Sequence, residues 1–475
     1  MVYNFPLPTT AHLSFQSYLS SSTHPSLPQA ASTARHTLRL ALKAHKRLTP
    51  RERESHLQTV LNSLNEYLPF LFAISHGLSG KSIRSGGGVD EEVEITLRDE
   101  PEIEWRPGFA SSSLFKGAKV RGRGIDFEVA LVVSTLGYVL AGLARVETLR
   151  TLYASVTPTP EKRASSVQHA TKLLLQASSA HSLLASSSFT STEGSPAAPQ
   201  LNTAMQTALD SLALAEATLL AVLKDDAYTF ACIQSRNPQD KDWMVRAPEI
   251  PKVRALLFAR LCVRGAEYAE QAAAGLGSAG SKSRGGSGSS AGKVDEDLIK
   301  YAQTLGKVAR ARACRFFGVD LELSGKAGEG IAWLRAGKGA LGLKRAMIPE
   351  GEGGGSSKGS ALSKIKKGWT DRREERKLEK SNTGASTTQN GELLRGDDAG
   401  WEEEGRVIEM LETKWVKMND TVCSYFSRLI CPMQFSESRI DQRADCSPVG
   451  TSTRKSTFWP GYTQRSGTIY TSIPG

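Results

Sequence analysis

The chain has almost nothing from which a catalytic or metal centre is usually built. All eight histidines lie before residue 182, and none is paired at the close spacing of a zinc-binding helix, so no histidine metal site is expected. The six cysteines, at 232, 262, 314, 423, 431 and 446, include no CxxC pair, which removes the common zinc and thiol-redox patterns. The start, MVYNFPLPTTAHLSF, has neither a basic leader nor a continuous apolar stretch, so no secretion signal is expected. On that reading the cysteines are reduced thiols, and the glycosylation pattern at Asn419-Asp420-Thr421 has no use. Long hydrophobic runs are scarce as well. The longest, Val129 to Ala144, is bracketed by Glu128 and Arg145 and falls short of the ~30 Å hydrocarbon layer. It reads as a buried helix.

Two fragments imitate active-site motifs. Gly288-Ser289-Ser290-Ala291-Gly292 fits G-x-S-x-G, which would make Ser289 or Ser290 a hydrolase nucleophile. That motif needs a strand before it and a helix after it, and here it lies inside a Gly/Ser tract. Gly292-Lys293 resembles the end of a phosphate loop, but Ser287 stands at the first glycine and Val294 replaces the Mg²⁺-binding hydroxyl. No catalytic residue, cofactor or metal is expected. The acidic clusters Asp90 to Glu94 and Asp99 to Glu104 read as solvated loop faces rather than paired catalytic carboxylates.

What is present is basic charge and helix. With 60 Lys and Arg against 49 Asp and Glu, the net charge is +11, which favours acidic partners: an anionic membrane, nucleic acid or an acidic helix. No RNA-binding signature, paired zinc motif or heptad-bearing basic region supports nucleic acid, so it is not expected as a partner. The basic run Lys364 to Lys380 is interleaved with acids and reads as a solvated linker.

Apolar spacing predicts helices over 29–47, 50–75, 126–154, 160–188, 201–223, 294–317 and 401–418. Asn202 or Thr203 is the expected cap of the fifth, and Gly318 the stop of the sixth. Leu212–Phe230 and Asp242–Ala272 read as two long helices flanking a loop that carries Arg236 and Trp243. His36 and His45 read as a solvated or capped helix face. Alternation around Val93, Ile95 and Leu97 predicts a short hairpin or small sheet within 81–123. Gly/Ser-rich inserts at about 275–293 and 351–400 read as flexible. Met205, Leu209, Leu212, Leu219 and Leu220 form an apolar stripe, whose plain reading is core. A long array of antiparallel helices can also leave a groove that seats a partner's amphipathic helix.

Several blocks resemble a known family. They include FPLPTTAHLSF, IDFEVALVVSTLGYVLAGLAR, LAEATLLAVLKDDAY, DWMVRAPEIPKVRALLFARLC, DLIKYAQTLGKVARARACRFFGVD, GEGIAWLRAGK and EEEGRVIEMLETKWVKMNDT, and together they span the chain to Thr421. The sequence is identified as a member of the Bro/Alix-type domain family, in its fungal ambient-pH signalling branch. The resemblance implies a mostly α fold: a curved array of tetratricopeptide-like helix pairs around a small β element, filling residues 1–421. It implies a non-enzymatic scaffold that binds the C-terminal amphipathic helix of the ESCRT-III filament subunit and works with Pal pathway proteins. Such a scaffold is required for proteolytic activation of the PacC transcription factor at alkaline pH. It is expected to be cytoplasmic, recruited to the plasma-membrane cortex or endosomes, with peripheral contact to anionic membrane. The resemblance carries Met205, Leu209 and Leu212 over as partner-binding residues. A generic ESCRT-associated endosomal sorting adaptor is the alternative.

After Thr421 the sequence departs from the family. Residues 422–475 lack periodicity and hold three of the six cysteines. We read this tail as a translated intron followed by a frameshift, since every Val codon begins with GT and Ala444-Asp445 can be encoded with an internal CAG.

Overall fold

The computed structural model describes residues 2–84, 90–106, 108, 119–154, 158–187, 201–234, 250–281, 294–343 and 398–430. The chain divides into two units, Met1–Thr421 and Val422–Gly475, and the elements below belong to the first, save that the last helix runs on into the second. Mostly α is the observed class.

The first two helices, α1 (Leu27–Arg47) and α2 (Pro50–Leu78), form a hairpin. The turn between them is fixed at Thr49, whose N–H and hydroxyl both donate to the Glu52 carboxylate, with Pro50 at the first helical position. Among the described residues, two short strands precede α1 and five lie between α2 and the third helix. β1 (Thr9–Thr10), β6 (Glu102–Arg106) and β7 (Val120–Arg123) make an antiparallel sheet in the order β1-β6-β7. β2 (Leu19–Ser21) pairs with β5 (Ile95–Leu97), and β3 (Ile83–Arg84) with β4 (Asp90–Glu91). The expected β element is therefore real, but two of these three sheets draw a strand from the N-terminal segment, outside 81–123. β6 alternates in the manner of a half-buried strand, with Ile103 and Trp105 inward.

At Gly124 the backbone takes a φ of 86°, a region costly for any residue with a Cβ, and turns β7 directly into α3 (Ile125–Leu152). That helix is apolar on every side and is buried along most of its length, as a helix enclosed by neighbours must be. α4 (Pro160–Ser186), α5 (Thr203–Leu223), α7 (Lys252–Ser281), α8 (Glu296–Glu322) and α9 (Ala327–Ala340) then stack in that order onto α3, while the short α6 (Ala227–Gln234) follows α5. α10 (Trp401–Ile430) closes the series. Asn202, one of the two expected caps, accepts the N–H of Ala204 at 2.9 Å.

Several boundaries differ from the periodicity. Leu212–Phe230 is not one helix: α5 ends at Leu223, and Asp226 starts α6 by accepting the N–H and hydroxyl of Thr229. Gly318 does not stop α8. It lets that helix approach α9, because a Cβ there would lie 3.0 Å from the Gly330 carbonyl and 3.3 Å from Trp415. Residues 275–281 of the expected flexible insert are the last turns of α7. Arg236, Trp243, Ser289, Ser290 and the 364–380 run lie outside the described residues.

Candidate interaction surface

Met205, Leu209 and Leu212 are not on a surface. All three side chains are at most 1% exposed, packed into the cluster that α5 builds with α7 and α8. The stripe expected to line a groove is thus core, which corrects the partner-binding assignment. The reason is the position of α5, which has α4 on one side and α7 on the other, so its most apolar faces are consumed by neighbours.

What α5 turns outward is a different stripe: Thr203, Thr207, Asp210, Leu214, Thr218 and Ala221, which recur at three- and four-residue spacing. Leu214 is the large apolar residue in it, half-buried. Ser178 of α4 donates to Asp210, and this fixes the α4–α5 register. One turn along, that register sets Leu175 of α4, 46% exposed, at the level of Leu214. On the other flank Gly265 of α7 faces Ala215 and Leu219, and one turn along lies Tyr268, half-buried beneath the Arg264 guanidinium at 4.3 Å. By this register Leu175, Leu214 and Tyr268 stand at similar levels on three successive helices of the stack. Cations border them: Lys172 is exposed one turn from Leu175, and Arg264 is exposed beside Tyr268. No single-helix pattern marks this row, because its members come one from each helix.

Buried polar groups join other helices of the array. Glu128, the residue that brackets the longest apolar run, is fully buried at the first turn of α3. It accepts from Arg35 Nε at 2.8 Å, Trp105 Nε1 at 2.8 Å and Tyr67 Oη at 3.2 Å. One carboxylate therefore joins α1, α2, β6 and α3. Burial and the neighbouring carboxylate raise the Tyr67 phenol well above its ordinary range, so it stays a neutral donor.

Glu216 of α5 plays the same part for the N-terminal segment. Its Oε1 accepts the Tyr3 N–H and the Tyr301 hydroxyl, both at 2.9 Å, while Arg145 donates to the Val2 carbonyl at 2.6 Å. Burial pushes the Glu216 carboxyl up to about 7, against the opposing pull of Tyr3, Tyr301 and Arg145. His181 donates through Nδ1 to the Gln206 side-chain oxygen at 2.7 Å, and burial lowers its pKa to about 4. His45 likewise departs from the solvated position expected of it. It is buried, with a pKa lowered to about 4 by burial and by His56 and Arg53, whereas His36 is exposed as expected.

No group of three metal-ligating side chains occurs among the described residues. Glu91, Glu92, Glu94, Asp99, Glu100 and Glu102 are exposed, and Glu104 pairs with Lys119 at 2.8 Å, so the acidic clusters are solvated faces. Cys262 and Cys314 have thiols pushed up to about 12 and about 11, chiefly by burial, which makes them poor nucleophiles.

Comparison with known proteins gives an informative match. The chain is 59% identical over 432 residues, covering 89% of itself and 83% of its relative, to a protein of Emericella nidulans described as "pH-response regulator protein palC". No protein-family model matches the chain. A solved structure described as "Structure basis for endosomal targeting by the Bro1 domain" aligns over 87% of this chain and 98% of its own, with a TM-score of 0.42 and 13% identity, a distant likeness.

Proposed function

The chain belongs to the palC family of pH-response regulators, and from that membership we propose that it is a non-enzymatic adaptor that seats the C-terminal amphipathic helix of an ESCRT-III filament subunit. The seat is the outward row of Leu175, Leu214 and Tyr268, not the stripe of Met205, Leu209 and Leu212. What carries this reading is the exposed Leu175 with the half-buried Leu214 and Tyr268 at matching levels on three successive helices of the stack, bordered by Lys172 and by Arg264, which is paired with Glu267. An acidic helix with one apolar face complements it in both respects, with the apolar row supplying affinity and the cations speeding encounter. In this role the protein works with other proteins of the Pal pathway, is recruited from the cytoplasm to the plasma-membrane cortex or endosomes, and is required for proteolytic activation of the PacC transcription factor at alkaline pH.

The test is PacC cleavage at alkaline pH in cells whose only copy carries Leu175→Asp and Leu214→Asp. Cleavage is expected to fail while the protein accumulates to its normal level. Normal cleavage would reject the seat. Loss of helix binding with PacC cleavage intact would favour a general ESCRT-associated sorting adaptor instead.

A further inference from the structure

α1 is a 21-residue helix without a single Asp or Glu, and it carries seven basic or histidine side chains. Arg35 is consumed inside by Glu128, and His45 is buried. The rest lie toward solvent: His36, Arg39, Lys43, Lys46 and Arg47, joined by Arg106 from the end of β6. No ion pair among the described residues involves any of these six. The crowding is felt at Lys43, whose pKa is lowered by burial first and then by Arg39, Arg106 and Arg47. Like charges gathered without a counter-charge raise the energy of the free protein, and an external anion relieves it. In the middle of the stripe stands Leu40, 51% exposed.

We infer that the outward stripe of α1, with Arg39, Lys43, Arg47 and Arg106 around Leu40, is a docking face for an anionic lipid bilayer. The proposal deepens the recruitment step of the adaptor reading and uses a different helix from the partner row. A bilayer fits better than an acidic protein or a nucleic acid for two reasons. Positions 36, 40, 43 and 47 run along one face of a straight helix over roughly 16 Å, which suits lying on a plane. The exposed leucine among the cations can enter the acyl boundary while the cations stay with headgroups, the arrangement of interfacial helices.

The experiment is co-sedimentation of the full chain with vesicles of phosphatidylcholine alone and with 30% (roughly, a strongly anionic leaflet) phosphatidylserine. Binding is expected only to the anionic vesicles, and to weaken with salt. Changing Arg39, Lys43 and Arg47 together to Gln should weaken it about 100-fold, near five-fold per cation. Leu40→Asp should weaken it further, while melting temperature and capture of the ESCRT-III helix stay unchanged. Equal binding by the triple variant, or equal binding to neutral vesicles, would overturn the proposal. So would triple-variant loss of an acidic peptide or RNA with vesicle binding intact. Because helix capture is read separately, failure at the membrane and failure of the adaptor reading are distinguishable.

Discussion

Arg315 of α8 and Glu404 of α10 are 89 positions apart in sequence and meet at 2.6 Å with both side chains fully buried. Arg315 also donates to Asp226 at the start of α6, and Arg312 donates to the same Glu404 at 3.0 Å. Burial works against the charge of Asp226, but the two arginines outweigh it and hold its carboxyl below the usual range. Two arginines and two carboxylates thus neutralise one another where α6, α8 and α10 converge. Removing one member leaves an uncompensated charge in the interior. We expect Glu404→Gln or Arg315→Met to cost about 3–5 kcal/mol in urea unfolding, and Arg315→Lys to recover only part of it, because the ammonium cannot fork to two carboxylates.

Leu212 tests the corrected core assignment. Leu212→Ala should destabilise by about 2–5 kcal/mol, since the side chain is buried and cannot be replaced by solvent. Affinity for the partner helix, measured per folded molecule, should not change. An unaltered melting temperature with lost binding would return Leu212 to the surface.

The pH dependence of stability has opposed sources, Glu216 on one side and the buried His181 and His45, both lowered to about 4, on the other. Glu216 is raised from 4.5 to about 7 in the folded chain, so its contribution is fully present below pH 4.5 and lost as pH rises through about 7. The shift corresponds to an effect on the order of 3 kcal/mol. His181 is lowered from 6.5 to about 4, so its contribution is present above pH 6.5 and lost as pH falls through about 4. Denaturation at pH 5 and pH 8 should show Glu216→Gln gaining stability toward the alkaline value relative to the wild type, the difference being the Glu216 loss. An identical slope in the two proteins would exclude Glu216 as its source.

The tail carries a separate expectation. We propose that residues 422–475 derive from an unspliced intron and a frameshift, so transcripts should be spliced within the codons for Val422 to Ala444. Reads continuous through that region would reject it.

The helices were legible because their apolar spacing is local: α2 and α4 begin at the residues the pattern predicts, Pro50 and Pro160. What depends on distant partners was not. The break at Leu223 is stabilised by Arg315 gripping Asp226, and α9 escapes composition because its glycines, including Gly330 and Gly337, serve close packing rather than turns. Periodicity could show that α5 has an apolar stripe, but not which neighbour covers it. Spacing alone made Met205, Leu209 and Leu212 core, and only the family resemblance marked them as partner-binding, whereas Leu214 sits in a polar stripe and gains meaning only at the level of Leu175 and Tyr268. The acid Glu128 was visible as the edge of an apolar run, yet nothing local disclosed that Arg35, Tyr67 and Trp105 converge on it.

The central claim is that an acidic amphipathic helix lies across α4, α5 and α7. Fluorescence anisotropy of a labelled ESCRT-III C-terminal helix with the purified chain measures it directly. Saturable binding is expected for the wild type, weakened at least about ten-fold by Leu214→Asp with the melting temperature unchanged, as expected for a charge placed in an apolar contact. Equal affinity for the wild type and the variant, or no binding to either, would contradict the account.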